Sequence, residues 1–178
     1  MNAAPASPAD IVIRAAQVHE AEALTALCRR SKRHWGYDDT FMARSALSLA
    51  VPIDAIAETR VLVAHGVDSA AILGMAELSP VADGLIELDK LFVDPPAIGR
   101  GVGAVLLKHA IAVAREHGAR TMVILADPNA AVFYEKMGAR FLRMAPSDAI
   151  PGRQLPLYAL NLMVPTTPSA APHTPPRS

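Results

Sequence analysis

Cysteine is almost absent: Cys28 is the only one in 178 residues. No internal disulfide can form, nothing points to an oxidising compartment, and zinc sites built from several cysteines are excluded. Aromatic residues make up only 4% of the chain, so the apolar mass is Ala, Val, Leu and Ile, which suits tight packing of helices on a sheet. An excess of charge of either sign is also missing: 17 Lys and Arg balance 17 Asp and Glu. Nucleic-acid binding needs clustered cations that displace counterions, so that class is disfavoured, as is attraction of the whole molecule to anionic membranes. No apolar run approaches the roughly 18 uncharged residues that span a bilayer. Residues 1–10, MNAAPASPAD, lack the basic and apolar regions of a secretory signal, and the cytoplasm is the expected compartment. His19, His65, His109 and His117 are scattered without ligand spacing, so no metal site is expected.

What is present is apolar and punctuated. Hydrophobic residues reach 52% and mean hydropathy is +0.25, enough for a real core in one domain. Seven of the 15 prolines fall in residues 1–10 and 165–178. These ends are expected to be disordered, with residues 11–164 forming a single folded domain. Within it, 11–14 reads as a strand and 19–33 as an amphipathic helix with Cys28 on its core stripe. A second helix, capped by Asp38 or Asp39, is expected through about Ala50. Strands follow at 60–67, 71–78 and 85–93, the first two joined by a turn. A long helix over 101–117 stops at Gly118, a strand occupies 121–126, and a short helix at 129–137 stops at Gly138. Strands at 141–144 and 157–164 close the chain. The βαβ unit spanning 85–126 requires a parallel strand pair with a right-handed crossover. The hairpins make the rest antiparallel. The fold class is therefore α/β, with a mixed, mostly antiparallel sheet flanked by helices.

The chemistry concentrates at the carboxyl ends of that parallel pair, where ligands bind in open α/β sheets. After the strand, Pro95 and Pro96 end the ladder, and Gly99-Arg100-Gly101-Val102-Gly103 opens a helix. A helix start presents unpaired N–H groups and positive partial charge, and glycine lets a phosphate approach closely. Arg100 can add a charge-assisted bond. The bland alternative is a tight turn that needs glycine for its geometry. The P-loop pattern fails for want of Lys-Ser/Thr, and the dinucleotide pattern GxGxxG fails because Leu106 stands at its last glycine. The second segment, Ala126 through Gly138, reads ADPNAAVFYEKMG.

Together these segments resemble the GNAT superfamily of acyl-CoA-dependent N-acetyltransferases. The family loop Gln/Arg-x-x-Gly-x-Gly/Ala is matched by Ile98-Gly99-Arg100-Gly101-Val102-Gly103, with Ile98 departing from the usual polar residue. Asn129, Ala130, Phe133, Tyr134 and Gly138 match its later motif. The resemblance implies a central, splayed parallel strand pair and acetyl-CoA as the acyl donor. The donor would be held by the main chain of Leu91, Phe92 and Val93, by Ile98 through Ala104, and by Asn129 and Phe133. Tyr134 is then the candidate general acid, because a phenol with pKa near 10 is protonated at neutral pH and can donate to a leaving thiolate.

An attacking amine must first lose its proton, so a base or water relay is needed. Glu87, eleven residues before Ile98, occupies the place of the family's glutamate base. Asp89 would share its face in a regular strand and be turned away by a bulge. The alternative is that either carboxylate is solvated or paired with Lys90, Lys108 or Arg120. Trp35 and Tyr37 lie where the family forms one wall of the acceptor cleft, and Arg153 in the loop 146–156 is placed to grip an acceptor carboxylate. The expected acceptor is a small-molecule amine, with a protein acceptor as the other option and a homodimer common in the family. The competing reading is a non-catalytic acyl-CoA-binding regulatory or partner-binding module.

Overall fold

The computed structural model describes residues 10–163. Apart from Asp10, the ends expected to be disordered lie outside the described residues. The elements run β1 (Ile11–Ala15), α1 (Ala21–Arg33), α2 (Asp39–Arg44), α3 (Ile53–Ala57), β2 (Val61–Gly66), β3 (Ile72–Leu78), β4 (Leu85–Val93), α4 (Val102–Glu116), β5 (Thr121–Leu125), α5 (Ala131–Lys136), β6 (Arg140–Pro146) and β7 (Gln154–Asn161). Short 3₁₀ turns precede α1, α4 and α5 at Val18–Glu20, Pro95–Ala97 and Pro128–Ala130.

All seven strands form one sheet in the order β1-β2-β3-β4-β5-β7-β6. Only β4 and β5 are parallel; every other neighbouring pair is antiparallel. Alternation along β2 divides the core. Leu62 and Ala64 join the α4 side, while Val61 and Val63 join Leu24, Leu27 and Cys28 of α1 on the other. α4 supplies Leu106 and Leu107, both fully buried, each contributing about 1.5–3 kcal/mol by leaving water. It ends as its sequence requires: Gly118 adopts φ +83°, and the Ala119 N–H reaches back to the Ala114 carbonyl at 2.9 Å. At the start of α1, Glu20 accepts from the Gln17 N–H at 2.7 Å and from both Arg14 terminal nitrogens at 2.6 and 2.9 Å. Chiefly through that arginine fork, its carboxyl is held down at about 2.

The expected second helix is shorter than its apolar pattern suggested. Asp38 does cap α2, accepting from the Phe41 N–H at 2.7 Å, but the helix stops at Arg44. Ser48 Oγ bonds back to the Ser45 carbonyl, and Pro52 forbids helical geometry at Val51, so 45–50 forms turns. Val51 N–H is instead taken by Thr25 Oγ1. α3, which follows Pro52, has no counterpart among the expected elements. The last two strands run 140–146 and 154–161, the first wider than the expected 141–144 and the second three residues earlier than the expected 157–164.

The splayed pair is present. β4 and β5 register at Leu85–Thr121, Ile86–Met122 and Glu87–Val123, and there the pairing stops. β4 continues alongside β3 as far as Val93, and β5 alongside β7 as far as Leu125. A bulge accompanies the parting: Leu78 pairs with Leu88 while Glu77 pairs with Lys90, leaving Asp89 unmatched. A bulge bends its strand and increases twist. Ile86, Leu88, Leu91 and Val93 all pack on the α4 side, so the face alternation slips by one residue between 88 and 91.

β3 and β4 meet so closely that a Cβ on Gly74 would stand 2.8 Å from the Phe92 carbonyl oxygen and 3.0 Å from Leu106 Cδ1. Gly74→Ala is therefore expected to lower unfolding free energy by about 1–3 kcal/mol, read as a lower urea midpoint at unchanged slope.

Candidate active site

The gap between β4 and β5 opens into a cavity of about 580 Å³. One end is made by the glycine loop. Gly99 and Gly101 adopt φ of +81° and +82°, a region that disfavours side chains. Gly101 is also the N-cap of α4 and offers no side chain to bond the helix start. The first amide there with a helical partner is Val105, which donates to the Gly101 carbonyl at 3.1 Å. The amides of Val102, Gly103 and Ala104 precede it and are left for a ligand. A Cβ on Gly103 would come within 3.4 Å of the Phe133 ring, so this first turn lies directly against α5. Such an end suits a phosphorylated group.

Ile98, Gly99, Gly101, Val102, Gly103 and Ala104 line the cavity, as do Leu91, Phe92 and Val93 on the free edge of β4. Asn129, Phe133 and Tyr134 line it from the other side, and Trp35 and Arg153 from above. Two residues named from the sequence do not. Arg100 points elsewhere, its Nε buried and without a hydrogen-bond partner among the described residues. Tyr37 is drawn into a polar cluster instead.

Tyr134 is only 6% exposed, and its hydroxyl makes no hydrogen bond among the described residues. Burial, reinforced by the charge of Asp127, pushes its pKa above the ordinary phenol value, so it carries its proton at neutral pH. Glu87 and Asp89 both face the cavity. A bulge, one of the two strand geometries weighed from the sequence, is present with Asp89 as its unmatched residue, yet it does not turn Asp89 away; it re-aims the residues that follow. Burial, then the charge of Asp148, raises the Glu87 pKa. Asp89 is pushed up to about 6, first by burial and then by Glu87 and Glu77, with Lys90 and Arg60 opposing. Lys90 does not pair with either: it bonds Glu77 at 2.8 Å in a nearly solvent-free pair.

Sequence reasoning missed the cluster that roofs the cavity. Asp127, two residues beyond the end of β5, accepts from Lys32 of α1 and from the Tyr37 hydroxyl at 2.9 Å. Arg153 donates to the Tyr37 oxygen at 2.7 Å and lies 3.7 Å from Asp127. Tyr37 stacks on Phe41 at 4.1 Å, and both cations lie over these rings. Burial alone would raise Asp127, but the Lys32 bond and charge, the Asn129 amide and Tyr37 hold it below the usual carboxylate value. Asp127 announces itself locally, since it precedes Pro128 and caps the next turn through the Asn129 N–H at 3.0 Å. Its partners are distant in sequence and leave no local signal.

Among the described residues there is no cluster of His, Cys, Asp and Glu able to hold a metal ion. No helix there is long and apolar enough to cross a membrane.

Comparison with known proteins agrees with this geometry. The PaiA N-acetyltransferase of Thermoplasma acidophilum, solved in complex with coenzyme A, superposes with a TM-score of 0.71 at 17% identity, over 85% of this chain and 98% of that one. A GNAT family acetyltransferase from Brucella melitensis, solved with acetyl-CoA, gives 0.58 at 20% identity, over 93% and 91%. In sequence, the peptidyl-lysine N-acetyltransferase YjaB of Salmonella typhimurium is 37% identical over 78 residues. That match covers 44% of this chain and half the length of that relative. The model of the acetyltransferase (GNAT) family matches residues 23–139, most of the folded region. The chain belongs to the GNAT acetyltransferase family.

Proposed function

We propose that the protein transfers the acetyl group of acetyl-CoA to a primary amine by direct attack in a ternary complex. The observation that carries this reading is the shared cavity. The free edge of β4, the amides that open α4, a protonated and unpartnered Tyr134 and the carboxylate of Glu87 all face it. In this reading the donor's diphosphate sits on the amides of Val102, Gly103 and Ala104, where the helix start favours negative charge. Its pantetheine arm lies along the open edge at 91–93 in the manner of an added strand. The coenzyme A and acetyl-CoA complexes named for the structural relatives support this choice of donor.

The amine nitrogen forms a bond to the thioester carbonyl carbon, and the carbon–sulfur bond breaks. The departing thiolate takes the proton of the Tyr134 hydroxyl. The proton lost by the amine goes to Glu87, directly or through water. A covalent acyl-enzyme has no support: Cys28 is buried in the core, and burial pushes its thiol up to about 12, leaving almost no thiolate at neutral pH.

The donor site is tested by Gly101→Asp, which puts a side chain and a negative charge where backbone must meet phosphate. Coenzyme A should raise the melting temperature of the native protein and not that of the variant. Equal protection of both would remove the basis of the reading. Tyr134→Phe keeps the ring and loses the proton donor, so kcat should fall by roughly 10²–10⁴ with little change in acetyl-CoA binding. Turnover within a factor of about two of the native rate would assign the acid elsewhere.

Glu87 controls the acidic limb of the pH–rate profile, because its neutral form cannot accept a proton and activity falls as pH drops through its raised pKa. Glu87→Gln should lower kcat/KM and flatten that limb. With an amine of low pKa, already neutral at pH 7, the defect should shrink. A defect of constant size across acceptors would indicate lost positioning in place of lost proton transfer.

A further inference from the structure

The charges that face the cavity do not balance in kind. Its three cations each have a carboxylate neighbour: Lys90 bonds Glu77, Lys32 bonds Asp127, and Arg153 lies near Asp127 and donates to Tyr37. Three of its carboxylates have none. Glu87, Asp89 and Asp148 make no ion pair and accept no side-chain hydrogen bond among the described residues, yet all three line the cavity. They are mutually repulsive as well: the charge of Asp148 acts on Glu87, and that of Glu87 on Asp89. Like charges gathered on a concave wall with no cation in contact are stabilised by a cationic ligand. A second, independent sign of a ligand here is the Tyr134 hydroxyl, in a side chain 6% exposed, lining the same cavity with no partner.

Asp148 does not sit on a free-swinging loop. The turn that carries it is closed by Ser147 N–H to the Arg153 carbonyl at 2.8 Å and by Arg153 N–H to the Ile150 carbonyl at 3.1 Å. Ile150 is buried, and Arg153 is tied to Tyr37. The loop is thus pinned over the cavity at both a core contact and a polar one, which fixes Asp148 on the wall shared with Glu87.

We propose that the acceptor is a small linear diamine or polyamine, with Asp148 holding its far cationic nitrogen while the near nitrogen reacts beside Glu87. The inference rests on the acetyltransferase reading above and names its substrate class. A single ammonium brings one charge to three unpaired carboxylates; a second cationic centre on the same molecule compensates another. A lysine side chain of a protein brings only the reacting charge to this wall.

The test is thiol release from saturating acetyl-CoA by the full-length protein, with 1,4-diaminobutane, spermidine, n-butylamine and a lysine-containing peptide as acceptors. The native protein should favour 1,4-diaminobutane over n-butylamine by roughly tenfold in kcat/KM, the scale of one charge-assisted contact. That preference should fall as ionic strength rises. In Asp148→Asn the ratio should drop toward one through a higher KM for the diamine, and Asp148→Glu should retain it. Equal use of diamine and monoamine by the native protein, or a ratio unmoved in Asp148→Asn, overturns the proposal while leaving acetyl transfer standing. A higher kcat/KM for the peptide than for either amine also overturns it and makes the acceptor a protein. Coenzyme A that fails to bind at all is a separate result and removes the acetyltransferase reading itself.

Discussion

β4 and β5 cannot stay paired, and most of the site follows from that. Two parallel strands in mid-sheet would normally satisfy each other's backbone along their whole length. Here the ladder ends after Glu87 and Val123, and each strand keeps only its outer neighbour. The main chain of β4 beyond that point is left with unsatisfied groups facing a gap, which is costly unless water or a ligand reaches them. The same parting sets the glycine loop at one end of the gap and brings Glu87 and Tyr134 to its sides. A closed sheet with identical residues would have no cavity between these strands.

Carboxylates in this chain are used in two opposite ways. Glu20 is bound to Arg14 and titrates at about 2, so it stabilises the fold above its unfolded pKa near 4.3 and loses that contribution as pH falls toward 2. Asp89 is raised to about 6 from near 3.9 in the unfolded chain, so the folded state holds its proton more tightly. Its effect is the reverse: stability falls as pH rises from about 4 through about 6. The cavity wall shields Asp89 only in part, and solvent reaching it softens the loss. The first carboxylate joins β1 to α1. The second faces the cavity, where an uncompensated charge is useful to a cationic ligand and unfavourable to the empty protein.

The sequence was most legible where structure is made locally. Gly118 and Gly138 end their helices as read, since a left-handed C′ residue is a local requirement. The glycine loop was legible because strand, prolines and helix start are contiguous. The length of α2 was not, because competition from the Ser48 hydroxyl and the exclusion imposed by Pro52 outweighed an apolar pattern. Nor was the roof of the cavity. Lys32 and Asp127 are 95 residues apart, and Tyr37 and Arg153 are 116 apart, so only the folded chain joins them. The bulge in β4 was weighed from the sequence, but its position relative to Asp89 depends on how β3 packs, and that decided which side chains it turned.

That bulge also limits how the chain can change in length. Every residue from Leu91 to Val93 owes its facing to one unmatched residue upstream. Deleting Asp89 would put Leu88 opposite Leu78 and Lys90 opposite Glu77 in a regular ladder, with Leu91 and Val93 still on the α4 side. Straightening the strand at unchanged length would instead exchange the two faces of everything after it. Leu91 and Val93 would then leave the α4 core, and Phe92 would enter it. A homologous chain that loses the bulge should therefore also lose one residue between the start of β4 and the glycine loop.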